Sequence, residues 1–339
     1  MKVLFFNHKI KNCGVYQYGF RLYNILKQTV NVNYIYVEIE TYDDYISNIN
    51  KHLHACEEVT STYSGGQTDK YGLDAIIYNY HNVTMPWLNA NTIQRKIKNI
   101  GIPHESSHNF FNIVCNVDPT ILETKNVYSL PRPIYENVDV LLNNYQPSTN
   151  SIKEFIDYSE PNIPIFGSFG FGFKLKGFDK IVSLINKNYD NAIIKFVIPV
   201  AHFDQNNHTT NIDIKNICLR SNIKSTIKLM ITHEFFSNED ILCFLNSNTI
   251  NLFMYDKLEQ RSISSVIDYA VSVNRPIGIS DSCMFKHIYS DEICLYKTPI
   301  RECIKNHNVY FKKYVTIFSN ENVINKFIKI YKDNKLYNT

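Results

Sequence analysis

The sequence carries almost no excess of positive over negative charge. Thirty-five Lys and Arg stand against 32 Asp and Glu, for a formal net charge of +3. No basic run concentrates that small excess, which argues against nucleic acid as the main partner. Long apolar runs are missing too. No stretch nears the roughly 20 apolar residues that a membrane-spanning helix needs. The apolar start Met1-Lys2-Val3-Leu4-Phe5-Phe6 is too short for a secretory leader. The eight cysteines contain no Cys-x-x-Cys pair and no zinc-like spacing with histidine. Several lie inside apolar runs, such as Cys243 within Ile241-Leu242-Cys243-Phe244-Leu245. Buried free thiols in a reducing, cytoplasmic setting are therefore expected, with any membrane contact peripheral. Tryptophan occurs once against 24 tyrosines. That bias fits an AT-rich coding genome and carries no functional reading.

What is present is a repeated rhythm. With 44% hydrophobic and 20% charged residues over 339 positions, the chain is globular and long enough for two cores. In the first half Val3 to Phe6 reads as a strand, and Val15 to Gln28 as a helix whose apolar stripe includes Tyr16, Phe20, Leu22, Ile25 and Leu26. Asn33 to Ile39 and Asp74 to Tyr80 are further strands. Thr60 to Lys70 is a polar loop, and a helix is expected from about Asn91 to Ile100. In the second half strands are expected at Ile163 to Phe169, Ala192 to Val200, Ile227 to His233, Ile250 to Tyr255, Pro276 to Ser280 and Ile293 to Tyr296. Helices lie between them, and Asn322 to Tyr331 forms a terminal amphipathic helix. Strands alternating with helices predict an α/β fold of parallel sheets with helices on both faces. Prolines at 131, 133, 147, 161 and 164 interrupt the rhythm. The expected division is 1–150, 151–320 and a terminal segment 321–339 that crosses back to the first domain.

Two strand-to-helix junctions carry the chemistry. The first is Gly167-Ser168-Phe169-Gly170-Phe171-Gly172-Phe173-Lys174-Leu175-Lys176-Gly177, between an apolar strand and a helix. Its glycines allow close approach of a ligand, its helix start favours an anion, and Lys176 adds a mobile point charge suited to phosphate. It lacks Gly-Lys-Ser/Thr, so it is no Walker loop, and the third glycine of G-x-G-x-x-G is absent. The second junction runs from Tyr255 to Asp268 and holds Gln260, Arg261, Ser264 and Ser265. The pair suggests a cradle for a nucleotide diphosphate.

On Gly-Ser-Phe-Gly-Phe-Gly-Phe-Lys-Leu-Lys-Gly-Phe at 167–178 and Ser-Ser-Val-Ile-Asp-Tyr-Ala with Arg-Pro-Ile at 264–277, the second half resembles the retaining glycosyltransferases of family 4. The resemblance implies the GT-B fold, two Rossmann-like domains facing across a cleft. The C-terminal domain would hold the sugar nucleotide and the N-terminal one the acceptor. Lys176 matches a family lysine that faces the diphosphate. Where the family has a second basic residue this chain has Gly170, which leaves Arg261 or Lys174 as a substitute. Asp268 matches the ribose-binding glutamate, and Gln260 falls on the slot of the glutamate that touches the donor sugar. Gly172, Ser264 and Ser265 complete the expected donor-binding set. In the first half Gly14 resembles the glycine of the first loop. Ile102-Pro103-His104-Glu105 resembles a strand end whose histidine lies near the donor sugar, with His81 a weaker candidate of the same kind.

The expected activity is transfer of a sugar from a nucleotide-diphosphate sugar to a hydroxyl of a glycan, lipid or protein, with retention. His104 and Lys176 are the expected catalytic residues. No Asp-x-Asp follows a strand, so neither a metal nor a cofactor is expected; Lys176 and helix amides would neutralise the leaving diphosphate. The alternative, raised by Gln260 and Gly170, is a catalytically degraded GT-B relative acting as a nucleotide- or glycan-binding module.

Overall fold

The computed structural model describes residues 1–54, 72–105, 109–201, 210–257 and 262–336. The chain divides into two compact units, residues 1–133 with 318–339, and residues 134–317.

In the first unit the described strands are β1 (Lys2–His8), β2 (Asn33–Ile39), β3 (Ala75–Tyr80), β4 (Lys98–Pro103), β5 (Ile113–Asn116) and β6 (Val127–Ser129). They form a parallel sheet in the order β2-β1-β3-β4-β5-β6. Alternation along β1 explains its apolar run from Val3 to Phe6. Val3 and Phe5 pack on one face with Tyr18, Leu22 and Ile25 of helix α1 (Gly14–Leu26). Leu4 and Phe6 pack on the other with Tyr45 and Ile49 of α2 (Tyr42–His54). A sheet covered on both faces has no solvated side to spend polar residues on.

The second unit begins with helices α3 (Val138–Asn143) and α4 (Asn150–Asp157). Its parallel sheet has the order β11-β10-β7-β8-β9, from β7 (Ile165–Phe169), β8 (Ala192–Val197), β9 (Ile227–Thr232), β10 (Ile250–Phe253) and β11 (Ile277–Ile279). Between and after the strands come α5 (Phe178–Asn188), α6 (Thr210–Ser221), α7 (Asn238–Asn246), α8 (Val266–Ser272), α9 (Ile300–Lys305) and α10 (His307–Ile317). The terminal helix α11 (Asn320–Asp333) belongs to the first unit. Its Val323, Phe327, Ile330 and Tyr331 are fully buried in the cluster that holds Val3 and Phe5. The Tyr331 and Tyr34 hydroxyls meet at 2.7 Å.

Three expectations differ from what the chain does. The division lies at 133/134 rather than 150, because the proline-rich stretch is anchored in the second unit. Tyr135 N–H donates to Ser272 Oγ (2.8 Å), and Tyr145 Oη and Ser148 N–H donate to Asp240 Oδ1 (2.5 and 3.2 Å). The helix expected at Asn91 to Ile100 is instead a run of turns followed by β4. There Asn89, Thr92 and Gln94 satisfy nearby backbone groups through their side chains, at Asn91 N, Asn89 N and Lys96 N. Such local bonds compete with a helix. The strand expected at Ile293 to Tyr296 shrinks to a single parallel bridge, Ile279 to Cys294. The loop expected at Thr60 to Lys70 lies outside the described residues. Among the described residues no helix is long and apolar enough to cross a membrane.

Candidate functional site

In the second unit the chain runs outward through β7, β8 and β9, then returns to build β10 and β11 on the other side of β7. The order reverses between β7 and β10. In open α/β sheets the crevice outside the carboxyl ends of the strands at such a point is where ligands bind. The segments leaving those two strands are the two junctions singled out above.

After β7 the chain makes a short 3-10 turn, Lys174–Lys176, and enters α5 through Gly177. Gly177 has φ 61°, and a Cβ there would stand 2.0 Å from the Met254 carbonyl oxygen. Only glycine meets both demands. The Lys176 ammonium donates to Tyr255 Oη at 2.8 Å and lies 4.7 Å from the centroid of that ring. Tyr255 is 3% exposed and packs on Phe285, with ring centroids 4.7 Å apart. Ser264 Oγ is 3.5 Å from the same phenol oxygen. Two neighbouring lysines are paired with carboxylates, Lys180 with Asp256 and Lys257 with Asp281. Among the described residues none pairs with Lys176.

Gly170, where the family resemblance called for a second cation, has φ 137° and leaves room for this lysine. A Cβ at 170 would come 2.8 Å from Lys176 Nζ. A basic side chain there would meet both the atom and its charge. Gly172 serves packing instead: its Cβ position is 2.7 Å from Asn211 Cα at the start of α6. Its close approach is to protein. Lys174 is exposed. Ser265 occupies the N-cap position of α8 without a side-chain capping bond, and Asp268 is 1% exposed in the first turn of that helix. Gln260 and Arg261 lie outside the described residues.

In the first unit the strand order β2-β1-β3-β4 brings together polar residues at the carboxyl ends of four strands. His104 Nε2 is 2.7 Å from Asn79 Oδ1. Asn79 Nδ2 already donates to Asn7 Oδ1 (2.9 Å) and to the Val15 carbonyl (2.8 Å), so its oxygen faces the histidine and His104 Nε2 donates. Asn7 Nδ2 donates in turn to Tyr36 Oη and to the Tyr16 carbonyl, both at 3.0 Å. The Tyr16 and Tyr36 hydroxyls end the relay on Glu38 Oε1, at 2.5 and 3.2 Å. Helix α1 admits this relay because residue 19 is glycine; a Cβ there would be 2.3 Å from Asn79 Nδ2. Gly14, exposed at the start of α1, immediately precedes Val15. His81 Nε2 pairs with Glu105 Oε1 at 3.3 Å.

Burial holds the His104 imidazole well below its usual value, and Arg132, His81 and His8 add like charge. The ring is therefore neutral, with its one proton on the Nε2 that donates to Asn79. A histidine harder to protonate folded than unfolded leaves stability complete above the ordinary value of about 6.5 and erodes it as pH falls from there towards the folded value. We expect denaturant unfolding to show a loss of about 1 kcal/mol per pH unit from this group below about pH 6.5. His104→Gln should flatten that slope. His52 and His307, also held low chiefly by burial, supply a background the variant leaves in place. An unchanged slope would remove His104 from the account.

Sequence reasoning missed Tyr255, Asn7 and Asn79. The signal for the two asparagines was visible as an amide interrupting each apolar strand, in Phe6-Asn7 and Tyr78-Asn79-Tyr80. Tyr255 reads only as the apolar end of a strand.

No protein-family model matches the chain, and no curated protein matches it in sequence. Solved structures match it end to end. A glycosyltransferase from Rickettsia africae covers 100% of this chain and 99% of its own, with a TM-score of 0.61 and 13% identity. HepE from Anabaena, in complex with UDP and glucose, covers 98% of this chain and 99% of its own (TM-score 0.59, 11% identity). A UDP-forming α,α-trehalose-phosphate synthase from Burkholderia xenovorans, in complex with glucose-6-phosphate, covers 99% and 100% (TM-score 0.62, 10% identity). The fold is GT-B. In the GT-B fold of this chain each unit supplies one parallel sheet with helices on both faces, as the strand–helix alternation predicts.

Proposed function

We propose that this chain is a glycosyltransferase that moves a sugar from a nucleotide-diphosphate sugar to an acceptor hydroxyl, with retention and without a metal. The observation that carries the reading is the Lys176 ammonium, held at the switch point of the second sheet and paired with no described carboxylate. Structures of the same fold along their whole length include one with UDP and glucose and one with glucose-6-phosphate. On this reading the second unit takes the nucleotide diphosphate and the first the acceptor, a glycan or another hydroxyl-bearing molecule, as the sequence resemblance implies.

Chemically, the departing diphosphate gains charge as the glycosidic bond loosens. A fixed cation and the amides at the start of α5 stabilise that charge more than they stabilise the ground state. The acceptor hydroxyl attacks from the face the nucleotide leaves, and a phosphate oxygen takes its proton, so no enzyme nucleophile is needed. His104, neutral and oriented by Asn79, contributes a hydrogen bond to the donor sugar. Asp268 and Ser264 are the proposed ribose and phosphate contacts of the second junction, joined by Gln260 and Arg261. Buried cysteines such as Cys115 and Cys218, both free, suit the reducing cytoplasm we infer as its setting.

A thermal-shift panel of UDP, GDP, ADP and their hexose conjugates tests the reading. A true ligand at a hundredfold its Kd adds about 2.7 kcal/mol to the unit that binds it. That corresponds to a rise of roughly 5–10 °C for a unit of this size. Diphosphate release from the responding donor, dependent on an added sugar acceptor, then distinguishes transfer from binding alone. If no nucleotide in the panel moves the melting curve, the proposal falls. Binding without any transfer across acceptors would favour the nucleotide-binding module.

A further inference from the structure

We propose that Tyr255 is a positioning residue: it holds the Lys176 ammonium at the switch point without neutralising it. The inference rests on the reading that this unit grips a diphosphate, and it names the device that keeps the grip charged.

A lysine on a short turn has four rotatable side-chain bonds and disperses its charge unless something holds it. The common anchor is a carboxylate, and the surroundings use it twice, in Lys180 with Asp256 and Lys257 with Asp281. At Lys176 the anchor is a phenol. The Tyr255 oxygen accepts one ammonium proton at 2.8 Å, and its ring lies 4.7 Å from Nζ. A neutral oxygen and an aromatic face both attract a cation, yet leave its full charge and two of its protons for an anion.

The anchor is itself rigid. Tyr255 is 3% exposed, its ring packs on Phe285, and its backbone carbonyl accepts from Ser280 Oγ at 2.6 Å. Ser264 Oγ lies 3.5 Å from its hydroxyl, which ties the start of α8 to the same point. The glycine at 170 fits this arrangement, since any side chain there would displace the ammonium. Strands β7 and β10 thus each deliver one partner, Lys176 and Tyr255, to the place where the strand order reverses.

The test is a double-mutant cycle on the full chain, read by isothermal titration. UDP, GDP and ADP are tried on the wild-type protein, and the tightest is carried forward beside its nucleoside. Tyr255→Phe keeps the ring and its packing but removes the acceptor. It is expected to weaken diphosphate binding about three- to tenfold, the worth of one such hydrogen bond, and to leave the nucleoside unchanged. In a Lys176→Ala background the same substitution should cost nothing further, because its effect passes through the lysine. Undiminished diphosphate affinity in Tyr255→Phe overturns the proposal. So does equal weakening with and without Lys176, or equal weakening of the nucleoside, since each describes a merely structural tyrosine. If none of the three diphosphates binds the wild-type protein, the reading of the unit fails and the proposal with it. If Lys176→Ala weakens binding and Tyr255→Phe does not, the proposal alone fails.

Discussion

Replacing Lys176 with alanine is expected to slow sugar transfer by about tenfold to a thousandfold at saturating donor, reaching at its upper end the roughly hundredfold to thousandfold loss seen when one oxyanion donor is removed. The loss should appear mainly in kcat, because the charge Lys176 faces grows as the diphosphate departs and is smaller in the bound donor. The unliganded protein should melt almost as before, since among the described residues the side chain makes one hydrogen bond and it lies half exposed. Lys176→Arg is expected to recover little. A guanidinium is broader than an ammonium, and Gly170 and the Tyr255 ring leave a space fitted to a point charge. Initial rates of diphosphate release from the donor found in the thermal-shift panel provide the measurement. Unchanged turnover in Lys176→Ala would refute the assignment.

The largest effect on stability is expected from removing α11. Truncation after Phe318 strips four fully buried side chains, Val323, Phe327, Ile330 and Tyr331, from the face of the first sheet that holds Val3 and Phe5. At about 1.5–3 kcal/mol for each large apolar side chain, the loss rivals the 5–15 kcal/mol that typically holds a whole domain together. It also leaves Tyr34 Oη without the 2.7 Å partner it has in Tyr331. Calorimetry should show the transition of the first unit abolished while that of the second, whose core shares none of these residues, survives. The milder Phe327→Ala is expected to cost about 3–5 kcal/mol. A truncated chain that retains both transitions would show that α11 is an accessory.

How far these features were legible in the sequence depends on whether a local pattern or a distant partner decides them. The strands Val3 to Phe6 and Asp74 to Tyr80 were readable because both of their faces are buried, which leaves apolar residues at nearly every position. The turn at 167–177 was readable because three glycines and a lysine stand between a strand and a helix. Residues 91–100 misled because their composition permits a helix, while side-chain bonds from Asn89, Thr92 and Gln94 settle the matter locally. The proline-bearing stretch after Ile134 was expected to hold the domain boundary because nothing in it announces Asp240, about a hundred residues on, as its anchor. Tyr255 and Asn79 were out of reach for the same reason: their roles come from Lys176 and His104, which strand order alone brings beside them.

The placement of α11 bears on how the molecule is made. Synthesis delivers strands β1 to β6 early, yet the helix that closes one face of their sheet is encoded almost 200 residues after the last of them, near Asn320. On the ribosome the amino-terminal half therefore waits, one apolar flank uncovered, while the later unit emerges and can complete its own core. A chaperone that recognises exposed aliphatic surface would find its target in that interval, and slowing translation would lengthen the exposure.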